Sequence, residues 1–214
     1  MKQRGILIVC DANICRSATA ELVFAEEFAQ HSILAGIAVS SRGVQALSAH
    51  SACRFVSELR SGDTWRSRAQ KHRSRPLDER AIEGARLILT ATTGTRSAVV
   101  SMAPSSLRKV FTLREALWLA DGYAPVSGAS GEAVVTAFTE HLDRNRGLRP
   151  VPAVRSLPWR RAEHPFDIAD GHLGSERAHI ATVQQVEAVS RQIVAILAED
   201  PTLTFLSTTE PAVQ

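Results

Sequence analysis

The residues that could do chemistry lie first in the stretch VCDANICRS, where Cys10 and Arg16 have the spacing C-x5-R and Ser17 follows. An apolar run leads into the cysteine, and a helical pattern begins near the arginine. A strand ending at Cys10 and a helix starting at Arg16 predict a tight loop between them. Backbone N–H groups at such a helix start bind anions, and a guanidinium grips two oxygens of a tetrahedral dianion. The same field favours a thiolate at Cys10, which is a nucleophile for phosphorus.

The elements that must position this loop alternate along the chain. Continuous apolar runs predict strands buried on both faces at residues 4–9, 37–43, 86–91 and 109–113. Helical patterns lie between and after them, at residues 17–30, 50–60, 78–85, 95–103, 133–145 and 175–200. Strands separated by helices build a parallel sheet covered on both faces, so the sequence predicts an α/β fold.

Length and composition predict one domain over residues 1–200, with an insertion at about 116–164 and a loose tail at 201–214. Of the 214 residues, 44% are hydrophobic, which is enough for a core, and no apolar stretch is long enough to cross a bilayer. Three cysteines do not form a secreted disulfide framework, so we expect a cytoplasmic protein. The net charge of +3 is modest, and we expect the basic stretch 66–75 to be a solvated face rather than a nucleic-acid site.

Four segments of the chain resemble the low-molecular-weight protein tyrosine phosphatases. They are VCDANICRS, VSSRGVQA, HRSRPLDERAIEGARLILTAT and FDIADGHLGSERA, and the resemblance covers residues 4–115 and 165–199. It implies a three-layer α/β/α fold with a central four-stranded parallel sheet. It also implies hydrolysis of phosphotyrosine through a cysteinyl-phosphate intermediate.

The resemblance gives a role to each matching residue. It implies that Cys10 is the nucleophile, that Arg16 binds phosphoryl oxygens and that Asp170 is the general acid and later the base. Asp167 competes with Asp170 for that role, and an aspartate in such a loop can also be a turn former or N-cap.

The implied phosphate-binding loop includes Asp11, Ala12, Asn13, Ile14, Cys15 and Ser17. Hydrogen bonds that hold this loop and the thiolate are implied for Asn13, Ser17, Ser41 and His72. Asparagine suits position 13 because it tolerates a left-handed conformation.

The other thiols have separate expectations. Cys15 matches the family's second cysteine, which can pair with the nucleophile on oxidation, and whether Cys10 and Cys15 form a disulfide stays open. Cys53 lies on an apolar helix face and is expected in the core. A metal site made from Cys10, Cys15 and a histidine would not have the spacing of known zinc clusters, so neither a metal nor a cofactor is expected.

Several positions depart from the family pattern. Ala12 replaces a glycine, and at a positive φ its methyl group would cost about 1 to 2 kcal/mol. The Asp11 carboxylate would oppose the thiolate and a bound dianion by roughly 1 kcal/mol unless it points to solvent. Gly171 is expected to loosen the acid loop, and His172 replaces the ring that flanks a substrate phenyl group. Leu47 stands where the family often has a bulky pocket wall.

These observations predict a phosphatase for phosphotyrosine in proteins or for small aryl phosphates, with phosphate-like oxyanions as ligands. No nucleic acid or membrane partner is expected, and the oligomeric state stays open. A thiol-dependent arsenate reductase of the same fold remains an alternative, although the thioredoxin-coupled type needs two further cysteines that LTATTGTRSAVV lacks. A second alternative is a module that binds a phosphorylated partner without turnover.

Overall fold

The computed structural model describes residues 5–125, 128–129, 131–152 and 164–199. One sheet of four parallel strands has the order β2-β1-β3-β4, with β1 at Gly5–Cys10, β2 at Ala38–Gly43, β3 at Leu87–Thr90 and β4 at Val110–Thr112. Every residue of β1, β3 and β4 is buried, which is why continuous apolar runs predict them. The predicted α/β fold and its four-stranded parallel sheet are confirmed.

Helices lie between the strands and after the last one. They are α1 (Arg16–Phe28), α2 (Arg54–Glu58), α3 (Asp63–Lys71), α4 (Glu79–Gly84), α5 (Thr93–Met102), α6 (Leu113–Leu119), α7 (Glu132–Asn145) and α8 (Glu176–Ala198). The helix expected over residues 50–60 is shorter in the structure, since α2 spans only its second half. Helix α3 occupies part of the basic stretch and is missed by the sequence patterns, because Trp65 and Ala69 are the residues it buries.

The alternation of side chains along β1 produces three layers. Ile6 and Ile8 belong to a core cluster that includes side chains of α1, α6, α7 and α8. Leu7 and Val9 belong to a second cluster with side chains of α4 and α5. Because neighbouring residues of a strand point to opposite faces, these two clusters lie on opposite sides of the sheet.

Part of the expected insertion shares the main core. Val134, Val135, Phe138 and Leu142 of α7 are buried in the same cluster as Ile6 and Ile8. Residues 153–163 of the insertion and the tail at 201–214 lie outside the described residues. Within the described ranges, every helix is too short or too polar to pass through a bilayer.

The topology places a crevice at the carboxyl end of β1. The chain leaves β1 for β2 on one side and later returns to β3 on the other, so the strand order reverses at β1. Ligands of open α/β sheets bind at such switch points. Gly43, at the end of β2, is opposite Cys10, and a Cβ at Gly43 would lie 2.5 Å from the carbonyl oxygen of Asp11. Glycine is therefore required where β2 passes the loop after β1.

Candidate active site

The loop of residues 10–17, which we call the anion loop, follows β1 directly. Cys10 is the last residue of β1 and α1 begins at Arg16, as the spacing predicts. The Cys10 sulfur accepts a hydrogen bond from the backbone N–H of Asn13 at 3.3 Å and lies 3.0 Å from Ser17 Oγ. Both contacts can direct a polar hydrogen at the buried sulfur, which is the arrangement that a nucleophilic thiolate requires.

Asn13 holds the anion loop from inside. Its φ is 57°, in the left-handed region that asparagine tolerates better than most residues. Its Nδ2 donates to Ser17 Oγ at 2.9 Å and to Ser41 Oγ at 2.7 Å, and its Oδ1 accepts from the backbone N–H of Arg75 at 2.9 Å. This fully buried amide therefore has partners on both its nitrogen and its oxygen.

Ser41 and His72 support the loop through Asn13. His72 Nε2 lies 2.8 Å from the carbonyl oxygen of Asn13, so Nε2 carries the hydrogen. The Ser41 hydroxyl donates to the carboxylate of Glu21, which also lies 3.6 Å from His72 Nδ1. Glu21 joins the two supports, and sequence reasoning missed it. The sequence did offer one signal: Glu21 is one helical turn after Ser17, so the two side chains lie on the same face of α1.

The structure shows how the two departures within the loop, Ala12 and Asp11, are accommodated. Among the described non-glycine residues, positive φ angles occur at Asn13, Ala49 and Glu199, so Ala12 does not have the positive φ at which its methyl group would be strained. The carboxylate of Asp11 is partly exposed and forms an ion pair with Arg16. Its Oδ2 accepts from Arg16 Nη2 at 2.6 Å, and the side chain is 40% exposed.

Arg16 is buried and held on three sides. Its Nη1 donates to the carbonyl oxygen of Ile168 at 3.1 Å, and its Nη2 donates to Asp11 and, at 2.8 Å, to Asp170 Oδ2. These contacts use three of the five guanidinium N–H groups. Among the described residues, the N–H of Nε and one N–H of Nη1 have no protein acceptor, so donors remain for an oxyanion.

The structure separates the two candidate acids. Asp167 Oδ1 accepts from the backbone N–H of Thr93 at 2.6 Å, so this carboxylate holds the start of α5. Asp170 instead reaches Arg16, and its side chain is 28% exposed. Its Oδ1 also accepts from the backbone N–H of His172 at 3.0 Å, so Asp170 caps the short 3-10 helix at Gly171–Leu173 as well. Of the two candidate acids, Asp170 is therefore the one whose carboxylate contacts the anion loop.

Gly171, His172 and Leu47, the other residues expected near the substrate, lie in three different environments. Gly171 does not loosen the loop as expected: it is buried, and a Cβ there would lie 2.6 Å from the Cα of His179, so glycine allows close packing on α8. The ring of His172 packs edge-on against that of His179, with centroids 4.0 Å apart. Leu47 lies in the loop after β2 and is 71% exposed.

Three thiols lie near this site, and all are reduced in the structure. Cys15 Sγ is 3.1 Å and Cys53 Sγ is 3.4 Å from Nε2 of His179. The neighbouring thiol of Cys53 and burial raise the pKa of Cys15, and the thiol of Cys15 lowers the pKa of Cys53 to about 7. Burial lowers the pKa of His179, so its imidazole is neutral at pH 7. Cys53 lies just before α2 rather than on a helix face, and it is half-buried, not in the core as expected; it packs against the core cluster that includes Cys15.

Solved structures of similar fold include two bacterial phosphatases. The YwlE arginine phosphatase from Geobacillus stearothermophilus is 23% identical, with a TM-score of 0.58 over 92% of this chain and 94% of its own. The tyrosine phosphatase Wzb from Escherichia coli K30, solved in complex with sulphate, is 18% identical, with a TM-score of 0.57 over 92% of this chain and 99% of its own. At these identities the likeness shows the fold.

Sequence comparisons go further than the fold. The model of the family described as low molecular weight phosphotyrosine protein phosphatase matches residues 5–122, which is more than half of the chain. The probable low molecular weight protein-tyrosine-phosphatase EpsP of Ralstonia nicotianae is 30% identical over 158 residues, covering 72% of this chain and 98% of its own length. Together with a cysteine and an arginine that enclose an anion loop at the end of β1, these matches show that the chain is a phosphatase of the low molecular weight phosphotyrosine protein phosphatase family.

Proposed function

We propose that the protein hydrolyses aryl phosphate monoesters, phosphotyrosine in proteins among them, and that Cys10, Arg16 and Asp170 carry the reaction. The observation that supports this most is the 2.8 Å contact between Arg16 Nη2 and Asp170 Oδ2. It brings a carboxyl group from 154 positions away to the loop that contains the thiol. A nucleophile, an oxyanion binder and a proton donor then share one crevice.

In the first step, the Cys10 sulfur attacks phosphorus and the bond from phosphorus to the phenolic oxygen breaks. Asp170 gives its proton to that oxygen, because a phenolate leaves poorly without one, and such an acid contributes about 10²- to 10⁴-fold to the rate. The N–H groups of the anion loop and Arg16 hold the three remaining phosphoryl oxygens.

In the second step, Asp170 takes a proton from water and the water oxygen attacks phosphorus. The bond from sulfur to phosphorus breaks, which releases inorganic phosphate and restores the thiolate. The hydroxyl of Ser17, 3.0 Å from the sulfur, can donate to the thiolate as it leaves.

Asp170 must leave Arg16 before it can act as the acid, because its carboxylate is ion-paired with the guanidinium. Both Asp11 and Asp170 accept from the same Nη2 atom. A dianion that takes this donor releases the Asp170 carboxylate, which takes up a proton from solvent and is then the acid for the leaving oxygen. The ion pair between Arg16 and Asp170 therefore belongs to the resting enzyme.

The experiment compares hydrolysis of phenyl phosphate, p-nitrophenyl phosphate, an alkyl phosphate, and peptides that contain phosphotyrosine or phosphoarginine. We expect aryl phosphates and the phosphotyrosine peptide to be preferred, with no activity in Cys10→Ser. Preference for phosphoarginine would overturn the substrate class. Arsenate-dependent consumption of a thiol without phosphatase turnover would favour the reductase, and oxyanion binding without turnover would favour a binding module.

A further inference from the structure

Four metal-ligating side chains that the proposed reaction does not use meet beside the anion loop. Cys15 precedes α1, Cys53 precedes α2, His172 lies in the 3-10 helix after Asp170 and His179 lies in the first turn of α8. One ligand atom from each lies within 4.8 Å of every other. The four come from separate parts of the chain, so no local sequence motif announces them.

The distances suit a tetrahedral ion. With bonds of about 2.3 Å to sulfur and about 2.0 Å to nitrogen, the edges of a tetrahedron are roughly 3.3 to 3.8 Å long. The separations from Nε2 of His179 to the sulfurs of Cys15 and Cys53, 3.1 and 3.4 Å, need only small shifts to reach this range. The other pairs of ligand atoms lie within 4.8 Å, so they must close by about 1.5 Å at most when the ion binds. Two sulfurs and two imidazole nitrogens are ligands that select zinc.

We propose that Cys15, Cys53, His172 and His179 form a Zn²⁺ site that joins the anion loop to the acid loop. Binding replaces the proton on each thiol by a bond to zinc, so two protons pass to solvent and the site of one dication and two thiolates is neutral. The cluster differs from the one considered in the sequence, which would have used Cys10.

The burial of the four side chains leaves a route to solvent. Cys15 and His179 are buried, Cys53 is half-buried and His172 is exposed. Zinc can therefore enter from the side of His172, while the inner ligands are held by the packed core. The ring of Phe55 packs on His179 with centroids 4.3 Å apart, which fixes the imidazole near the sulfurs.

The site would couple metal binding to the acid loop. His172 is two residues after Asp170, and its backbone N–H donates to the Asp170 carboxylate. Cys15 directly precedes Arg16. A zinc ion bound to both side chains ties the acid loop to the anion loop in the arrangement in which Asp170 contacts Arg16.

The experiment measures Zn²⁺ and Co²⁺ binding to Cys10→Ser under a phosphine reductant, so that neither the catalytic thiol nor a disulfide contributes. We expect one tightly bound ion, a thiolate-to-cobalt charge-transfer band and the visible absorption of tetrahedral cobalt. Adding Cys53→Ser or His172→Asn should weaken zinc binding by at least about 100-fold, since loss of a ligand costs more than loss of its supporting contacts. His31→Gln, outside the cluster, should bind as the parent does.

Far-UV circular dichroism and melting show whether each variant folds, and zinc should raise the melting temperature of the parent but not of Cys53→Ser. Equal zinc affinity with and without Cys53 would overturn the proposal. Metal bound only when Cys10 is present would also overturn it. These readouts do not depend on phosphatase activity, so the site and the proposed reaction can fail separately.

Discussion

The two halves of the candidate active site are built in different ways. The nucleophile half, residues 10–17, is one continuous loop whose chemistry is visible in the spacing of Cys10 and Arg16. The acid half, residues 166–172, reaches that loop because α8 and the ends of β3 and β4 position it. This segment forms hydrogen bonds with Ala91, Thr93 and Thr112 as well as with Arg16. A local motif can therefore identify a nucleophile, while the choice of acid depends on tertiary structure.

The largest expected effect comes from removing the nucleophile. Cys10→Ser should lower kcat by about 10⁴-fold or more, as loss of a covalent nucleophile does elsewhere. Phosphate binding should remain, because the N–H groups and Arg16 are unchanged. Steady-state kinetics with p-nitrophenyl phosphate and calorimetry with inorganic phosphate measure the two quantities. If Cys10→Ser kept its turnover, Cys10 would not be the nucleophile.

The next effect tests the acid half. Asp170→Asn should lower phenyl phosphate hydrolysis by about 10²- to 10⁴-fold and p-nitrophenyl phosphate hydrolysis less, since the activated leaving group needs little protonation. Asp167→Asn is the matched control, because its carboxylate holds the N–H of Thr93 instead. If Asp167→Asn shows the dependence on leaving group and Asp170→Asn does not, the acid assignment is wrong.

A smaller effect concerns the internal support of the nucleophile half. Asn13→Ala loses the side-chain contacts to Ser17, Ser41 and Arg75 and puts a methyl group at a φ of 57°. The free energy of unfolding should fall by about 3 kcal/mol, and activity should fall with it. Asn13→Gly keeps the φ without strain, so it should recover about 1 to 2 kcal/mol in urea denaturation. Equal stability of wild type and Asn13→Ala would show that the loop does not depend on this amide.

The smallest effect concerns Asp11, which belongs to the nucleophile half but shares Arg16 with the acid half. Asp11→Asn should tighten phosphate binding about fivefold, because it removes a negative charge worth roughly 1 kcal/mol of repulsion and one competitor for Nη2. Calorimetry at low salt measures the change, and Asp63→Asn, at a fully exposed site on α3, is the control. Weaker binding would mean that Asp11 mainly orients the guanidinium.

The sequence predicted what depends on neighbours in the chain. The buried strands, the start of α1 at Arg16 and the left-handed Asn13 follow from apolar runs, helix patterns and residue type. It did not predict partners brought together from a distance. The contacts of Glu21 with Ser41 and His72, and of the backbone N–H of Arg75 with Asn13, join residues that are far apart in the chain.

The expectations that were wrong or incomplete also concern features that depend on residues distant in the chain or that leave no apolar periodicity. Gly171 looks like a flexible link in a sequence of D-G-H, but its missing Cβ serves close packing on His179. Helix α3 is polar over most of its length, so periodicity did not reveal it. The meeting of Cys15 and Cys53 with two histidines needs four elements to be in place at once.

The most direct test of the central claim is to look for the phosphoryl group on Cys10. Asp170→Asn is mixed with p-nitrophenyl phosphate, quenched in acid and digested, and the peptide over residues 5–16 is sequenced by mass spectrometry. The activated leaving group allows the first step while the second lacks its base, so we expect one phosphoryl group on Cys10 and the same result in a Cys15→Ser background. Rapid turnover with no phosphoryl group on Cys10, or a phosphoryl group on another residue, would contradict the account.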